Sequence, residues 1–296
     1  MARLLTLVLV VVLVVAFAAG CGGGQASDDG TLRVVAAEDF WGDIAAQLGG
    51  TRVSVRSIIS DPGVDPHLYE SDAGDAGAVA RADLVIENGL GYDDAIGKLL
   101  ASGSRGDRAE LVVADVLNAP AGANPHLWYD IPRVPAVAQA IVAELVRLDP
   151  EGRTTYEANL TTFTASLQPL LDAIDDVAQK HGGDQVAYTE PVAAYLLEAM
   201  HLVGSSPNGY ASAIEEGNEP APEAVQAMEK LLQPGAVAAL VYNTQAESPI
   251  TQDARAAAQD SAIPVVGVTE TMPDGVANFQ AWQQQQIDAL RGALAG

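Results

Sequence analysis

The chain has 296 residues, more than the roughly 100 to 200 of an ordinary single domain, so two folding units are expected. Hydrophobic residues make up 49% and charged residues 18%, below the roughly 25% of a usual globular chain; that supplies a sizeable core and rules out disorder as the main state. Lys and Arg number 15 against 39 Asp and Glu, a net charge of −24, which has the wrong sign for a phosphate backbone and argues against nucleic acid as a partner.

After Met1-Ala2-Arg3 the chain is apolar from Leu4 to Ala19, broken only by Thr6. That run is shorter than the roughly twenty residues a membrane helix needs and reads as a secretory signal over 1–20. Ala18-Ala19-Gly20-Cys21 resembles a bacterial lipobox, with Ala18 where leucine is commoner. Acylation of Cys21 would hold an exported protein on the outer face of the cell membrane. Cys21 is the sole cysteine, which excludes an internal disulfide and any multi-cysteine metal site. The Gly-rich polar stretch 21–31 reads as a flexible tether.

From residue 32 β-branched runs alternate with Ala-rich helical stretches, a βα rhythm. Strands are expected at 32–37, 52–58, 84–86 and 111–113, and helices at 41–48, 75–82 and 94–100. A helix at 134–148, with Val137, Ile141, Leu145 and Leu148 at helical spacing, closes a first lobe over 32–150. Leu160, Phe163, Leu167, Leu171, Ile174 and Val177 then recur in steps of three or four, predicting one long helix over 151–182 that Pro169 should kink. The second lobe, 183–296, repeats the rhythm with strands at 185–188, 237–242 and 264–268 and helices at 192–200, 222–232, 249–258 and 278–294. Within it 204–222 is rich in Gly, Asn and Glu without apolar periodicity and is expected to be a mobile loop. The fold class is therefore α/β: two lobes, each with a mainly parallel sheet, joined by one long helix, with the site in the cleft between them.

Of four histidines, two follow proline in similar settings, Asp65-Pro66-His67-Leu68-Tyr69-Glu70 and Asn124-Pro125-His126-Leu127-Trp128-Tyr129-Asp130. Proline presets the backbone around each ring, and Asp65, Glu70 and Asp130 are placed to accept a second ring proton and fix the tautomer, as partners of metal-ligating histidines do. Two readings stand: a metal pair, or loop histidines serving as turn or capping groups. His181 and His201 read as helix-end residues. Asn243 and Gln245 are candidates to line the cleft or merely to satisfy loop backbone. Ser248-Pro249 reads as an N-cap followed by proline in the first helical turn. Trp41 and Trp128 either wall the site from water or are simply packed.

These stretches, with Ala82-Asp83-Leu84-Val85-Ile86-Glu87-Asn88-Gly89-Leu90-Gly91 and Leu148-Asp149-Pro150 through Tyr156-Glu157-Ala158-Asn159-Leu160, resemble the solute-binding proteins of manganese and zinc ABC importers. The resemblance runs from about Leu32 to the C-terminus and implies two α/β lobes around a rigid helix, with four side chains enclosing one metal. It implies His67 and His126 as the first two ligands. The third, a His or Glu after the first strand of the second lobe, falls on Glu190 in Thr189-Glu190-Pro191. The fourth, usually an aspartate after a late strand, falls on Glu270, with Asp274 as the competing choice. The family's histidine-rich acidic loop has no counterpart, since no histidine lies between Tyr92 and Pro125. The implied protein is no enzyme: an exported, lipid-anchored monomer that captures Mn2+ or Zn2+ as cargo and passes it to an ABC permease.

Two other classes compete with this one. A zinc-dependent hydrolase would use the imidazoles and a carboxylate around an open position, but no H-E-x-x-H or G-x-S-x-G motif is present. An organic-solute-binding protein of the same bilobal shape would use the histidines to contact substrate. The donor chemistry leans slightly to manganese, because two imidazoles with two carboxylates form a mixed, oxygen-rich set.

Overall fold

The computed structural model describes residues 30–63, 66–103 and 106–296. The signal segment, Cys21 and all but the last two residues of the tether lie outside these, as does Asp65. Among the described residues no helix is long and apolar enough to cross a membrane.

The first lobe follows the βα rhythm: β1 (Leu32–Glu38), α1 (Asp39–Gly49), β2 (Val53–Ile59), α2 (Ala73–Arg81), β3 (Leu84–Glu87), α3 (Asp94–Ser102), β4 (Ala109–Val112), the short α4 (Val113–Val116) and α5 (Val134–Leu148). Its sheet is parallel throughout, in the order β2-β1-β3-β4. Next come α6 (Arg153–Ser166) and α7 (Gln168–His181), then β5 (Gln185–Tyr188), α8 (Ala194–Ala199), β6 (Val203–Gly204), α9 (Asn208–Glu215), α10 (Pro222–Leu231), β7 (Ala239–Asn243), α11 (Pro249–Asp260), β8 (Val265–Val268) and α12 (Phe279–Leu294). The second sheet is again parallel, β6-β5-β7-β8, so the two lobes repeat one strand order.

The helix expected over 151–182 runs as α6 and α7, broken beside Pro169 where a kink is expected: the ladder tightens at Leu167, whose N–H donates to Thr164 O, and Pro169 stands in the first turn of α7, where its missing N–H costs nothing. One expectation needs correction. The segment 204–222, expected to be a loop, contains the end of β6 and all of α9. Tyr210 and Ile214, one turn apart, pack α9 against Met228, Leu232 and Leu240, and this tertiary contact overrides poor local periodicity.

Alternation on the strands accounts for the layers, because successive side chains of a strand point to opposite faces. Val34 and Ala36 of β1 face a cluster that runs through Trp128, Ile141, Phe163 and Ile174 to Val186, Val241 and Val268, so both sheets share one core. Val35 and Ala37 face an outer cluster with Ile58, Val79 and Ile96. Ala239 and Val241 of β7 face the shared core, while Leu240 faces the cluster under α10 and α11. Residues Leu32–Gly296 form one compact unit.

One face of α1 fastens the lobes together at helical spacing. Asp39 Oδ2 accepts from Met272 N at 2.9 Å, Asp43 Oδ2 from Phe279 N at 2.8 Å, and the amides of Gln47 and Gln280 exchange hydrogen bonds at 2.9 and 3.0 Å. Where α5 hands over to α6, Arg52 makes a forked pair with Asp149 at 2.6 and 2.9 Å. Together with the Tyr156 hydroxyl, it holds the Asp149 carboxyl down to about 2.

Candidate metal centre

Parallel α/β sheets leave a crevice beyond the carboxyl ends of their strands, where the order reverses. In both lobes that reversal flanks the first strand, and a cleft of about 450 Å³ is lined by His67, by residues just past β3 and β5, by the 122–125 turn and by α9.

His67 sits in a single 3₁₀ turn, Pro66–Leu68, closed by the Tyr69 N–H donating to Pro66 O at 3.2 Å. The Tyr69 hydroxyl donates to Asp75 Oδ2 at 2.6 Å, and Asp75 forms a capping box with Asp72, so the turn is tied to the start of α2. Glu70, expected near the ring, is exposed.

His126 is wholly buried. Its Nδ1 lies 2.6 Å from Asn124 Oδ1, and Asn124 Nδ2 donates to Pro191 O at 2.7 Å, which sets which way the Asn124 amide faces. In the neutral ring Nδ1 therefore carries the proton and Nε2 keeps its lone pair for a metal, while a protonated ring also donates from Nε2 to the cleft. An amide rather than a carboxylate fixes this tautomer: Asp130, the expected partner, pairs with Arg133 at 3.4 Å. The preceding Pro125 carbonyl accepts from Asn88 Nδ2 at 2.8 Å, and Trp41 Nε1 donates to Asn88 Oδ1 at 3.2 Å. Trp41 thus acts at one remove, whereas Trp128 packs edge-on against the His126 ring at 5.1 Å and stacks on Phe40 at 4.2 Å.

Glu270, two residues beyond β8, is fully buried. Its Oε2 lies 3.2 Å from His67 Nε2 and 3.3 Å from His126 Nε2, and it accepts from the Tyr92 hydroxyl at 2.9 Å. Burial alone would raise this carboxyl, but the hydrogen bonds and positive charge of His126 and His67 outweigh it and hold the group well below the usual carboxylate range. Gln245 Oε1 accepts from the Glu270 and Thr271 N–H groups, and Gln245 Nε2 reaches the Pro62 carbonyl in the first lobe at 3.2 Å. Asp274 is exposed in the following turn.

Glu190 is buried just after β5. Asn243, the last residue of β7, donates through one Nδ2 to Glu190 Oε2 at 2.5 Å and to Glu270 Oε1 at 2.7 Å. Burial first, and the Glu270 charge second, push the Glu190 carboxyl up to about 8. Tyr92 is delivered by Gly89-Leu90-Gly91, all at positive φ; a Cβ on Gly89 would meet Val112 Cγ1 at 2.7 Å, so glycine is required there.

Among the described residues, His67, His126 and Glu270 offer three ligand atoms that all lie within 4.8 Å of one another. A family model described as "zinc-uptake complex component A periplasmic", ZnuA, matches residues 34–293. The chain belongs to the ZnuA family. It is 33% identical over 173 residues to the manganese-binding lipoprotein MntA of Halalkalibacterium halodurans, an alignment covering 56% of this chain and 57% of that one. The chain therefore spans less than two thirds of that relative. With the manganese ABC transporter substrate-binding lipoprotein PsaA of Streptococcus pneumoniae it shares 25% identity over 98% of this chain and 97% of the other. Among solved structures it resembles the periplasmic zinc-binding protein TroA of Treponema pallidum, with a TM-score of 0.75 at 20% identity over 90% of this chain and 99% of that one. It also resembles FpvC of Pseudomonas aeruginosa in complex with Mn2+, with a TM-score of 0.74 at 20% identity over 90% of this chain and 98% of that one. The family description and the relatives' names are those of metal-uptake and metal-transport binding proteins and not of enzymes, which does not favour the hydrolase alternative.

His181 ends α7 and pairs with Asp184 at 3.1 Å; His201 follows α8 at positive φ, its carbonyl accepting from Gly183 N. Neither belongs to the three-residue group. Sequence reasoning missed Tyr92, the roles of Asn124 and Asn88, and Glu215, whose Oε1 lies 3.9 Å from His67 Nε2 and 3.8 Å from His126 Nε2. The available signal for Glu215 was a four-residue step, Tyr210 to Ile214, one residue before it.

Proposed function

We propose that this chain is the extracytoplasmic binding component of an ABC importer, capturing one Mn2+ or Zn2+ ion through His67, His126, Glu190 and Glu270. One observation carries the reading: two imidazole Nε2 atoms, at least one of them with its other nitrogen engaged as a donor, converge on a buried carboxylate oxygen at 3.2 and 3.3 Å. Donor atoms around a single ion with bonds near 2.1 Å stand about 3 to 4 Å apart, so the group is spaced for an ion. The family description names zinc uptake and PsaA is named a manganese ABC transporter substrate-binding lipoprotein, which supports both metals as cargo and an ABC permease as partner. Cys21 is the membrane anchor in this reading, residues 21–31 the tether, 32–150 and 183–296 the lobes, and the working form a monomer.

A ligand that binds only the folded state adds about 2.7 kcal/mol at a hundred times its dissociation constant, so Mn2+ or Zn2+ should raise the melting temperature by several degrees. His67→Ala should abolish that rise, and His181→Ala should leave it intact. Equal shifts in wild type and His67→Ala would remove this site from consideration. For the anchor, mass spectrometry of the mature N-terminus should find acylated Cys21, and an unmodified residue elsewhere would overturn that assignment.

A further inference from the structure

Resting on that reading, the geometry points to Glu215 as a fifth ligand, a carboxylate that α9 lowers over the two imidazoles and that favours manganese over zinc.

The placement is structural. Tyr210 and Ile214 seat α9 on the second lobe, and the Tyr210 hydroxyl donates to Ile250 O at 3.3 Å. The opposite positions, Ala211, Ser212, Glu215 and Glu216, line the cleft at the spacing of one helix face. At the end of that face Glu215 Oε1 stands nearly equidistant from both ring nitrogens, 3.9 Å from His67 Nε2 and 3.8 Å from His126 Nε2. Those two distances to the imidazoles fall within the roughly 3 to 4 Å expected between donors that share one ion; Glu215 stands just outside the group of His67, His126 and Glu270, so its final approach is made when the ion binds. The Glu215 side chain is 16% exposed, so a metal reaching the imidazoles passes a carboxylate already near its final position.

The consequence for selectivity follows from coordination number. His67, His126, Glu190 and Glu270 suffice for the four-coordinate arrangement that zinc prefers. Manganese takes higher, oxygen-rich coordination, and a further carboxylate is a gain to it that zinc does not need. Glu215 therefore raises manganese affinity while leaving zinc affinity nearly unchanged.

The test is calorimetric titration of the metal-free protein with Mn2+ alone and with Zn2+ alone, for wild type, Glu215→Ala and the near-isosteric Glu215→Gln. Melting of the metal-free variants serves as the check on folding. Both variants should weaken Mn2+ by about tenfold or more, the range for groups that tune a metal site, and Zn2+ by less than about threefold. X-ray absorption of the Mn2+-loaded Glu215→Ala protein should show one oxygen neighbour fewer than wild type. An unchanged Mn2+ constant in both variants, or equal losses for the two metals, overturns the proposal while the four-ligand site stands. A wild type that binds neither metal overturns both.

Discussion

The two lobes repeat one strand order but bring opposite chemistry to the cleft: the first supplies imidazole nitrogens, the second carboxylate oxygens, and an asparagine supports each side. Asn124 accepts from the His126 ring at 2.6 Å, whereas Asn243 donates to Glu190 and Glu270 at 2.5 and 2.7 Å. Each amide answers a different need. A neutral imidazole needs its tautomer chosen before it can ligate, and an acceptor at Nδ1 does that. Two buried carboxylates need something between them while no cation is present, and one NH2 group does that.

The largest expected effect lies on the nitrogen side. Asn124→Ala frees the His126 ring and removes the bond to the Pro191 carbonyl, and metal affinity should fall by about 10- to 100-fold while the metal-free melting temperature changes little. Titration calorimetry and a melt of the same sample separate the two. Asn243→Ala should show the reverse pattern. Hydrogen bonds to buried charged groups contribute about 1.5 to 3 kcal/mol, so the metal-free protein should melt several degrees lower, with added metal restoring most of the loss. If both variants gave the same pattern, the division of labour between the amides would be wrong.

A smaller effect is expected from Tyr92→Phe, which removes a donor from the Glu270 oxygen that faces both histidines. Metal affinity should drop by about tenfold or less, because His67, His126 and Asn243 still orient that carboxylate. A loss as large as that of Asn124→Ala would place Tyr92 on the metal itself.

The smallest effect lies at the seam rather than the site. Burial pushes the Asp39 carboxyl from its ordinary 3.8 up to about 7, against the pull of the Met272 N–H. A folded value above the unfolded one means that this group's contribution is fully present below pH 3.8 and is lost as pH rises through about 7. Asp39→Asn keeps an acceptor for Met272 N and carries no charge, so it should match wild type near pH 4 and exceed it near pH 8 by on the order of 1 kcal/mol. Denaturant melts at the two pH values check this, and a variant less stable than wild type at pH 8 would show that the Asp39 charge is needed at the seam.

The alternating strands and helices were legible in the sequence because their signals are local. Val137, Ile141, Leu145 and Leu148 repeat at helical spacing, Ser248-Pro249 caps α11 through Thr251, and strand β5 falls where its β-branched and aromatic residues stand. The two Pro-His motifs marked the imidazoles that converge on Glu270 for the same reason, since proline and histidine are adjacent in the chain. What only the tertiary structure decided depends on residues far apart in sequence. Asn124 rather than Asp130 holds the His126 ring, because the turn at 125–130 aims the Asp130 carboxylate at Arg133. Helix α9 exists because Tyr210 and Ile214 find a packing partner in Met228 and Leu232, a gain that no window over 204–222 contains. Glu215 then stands over two imidazoles that precede it by 148 and 89 residues, from His67 and His126 respectively, and only closure of the two lobes around a shared core brings a carboxylate from one to the nitrogens of the other.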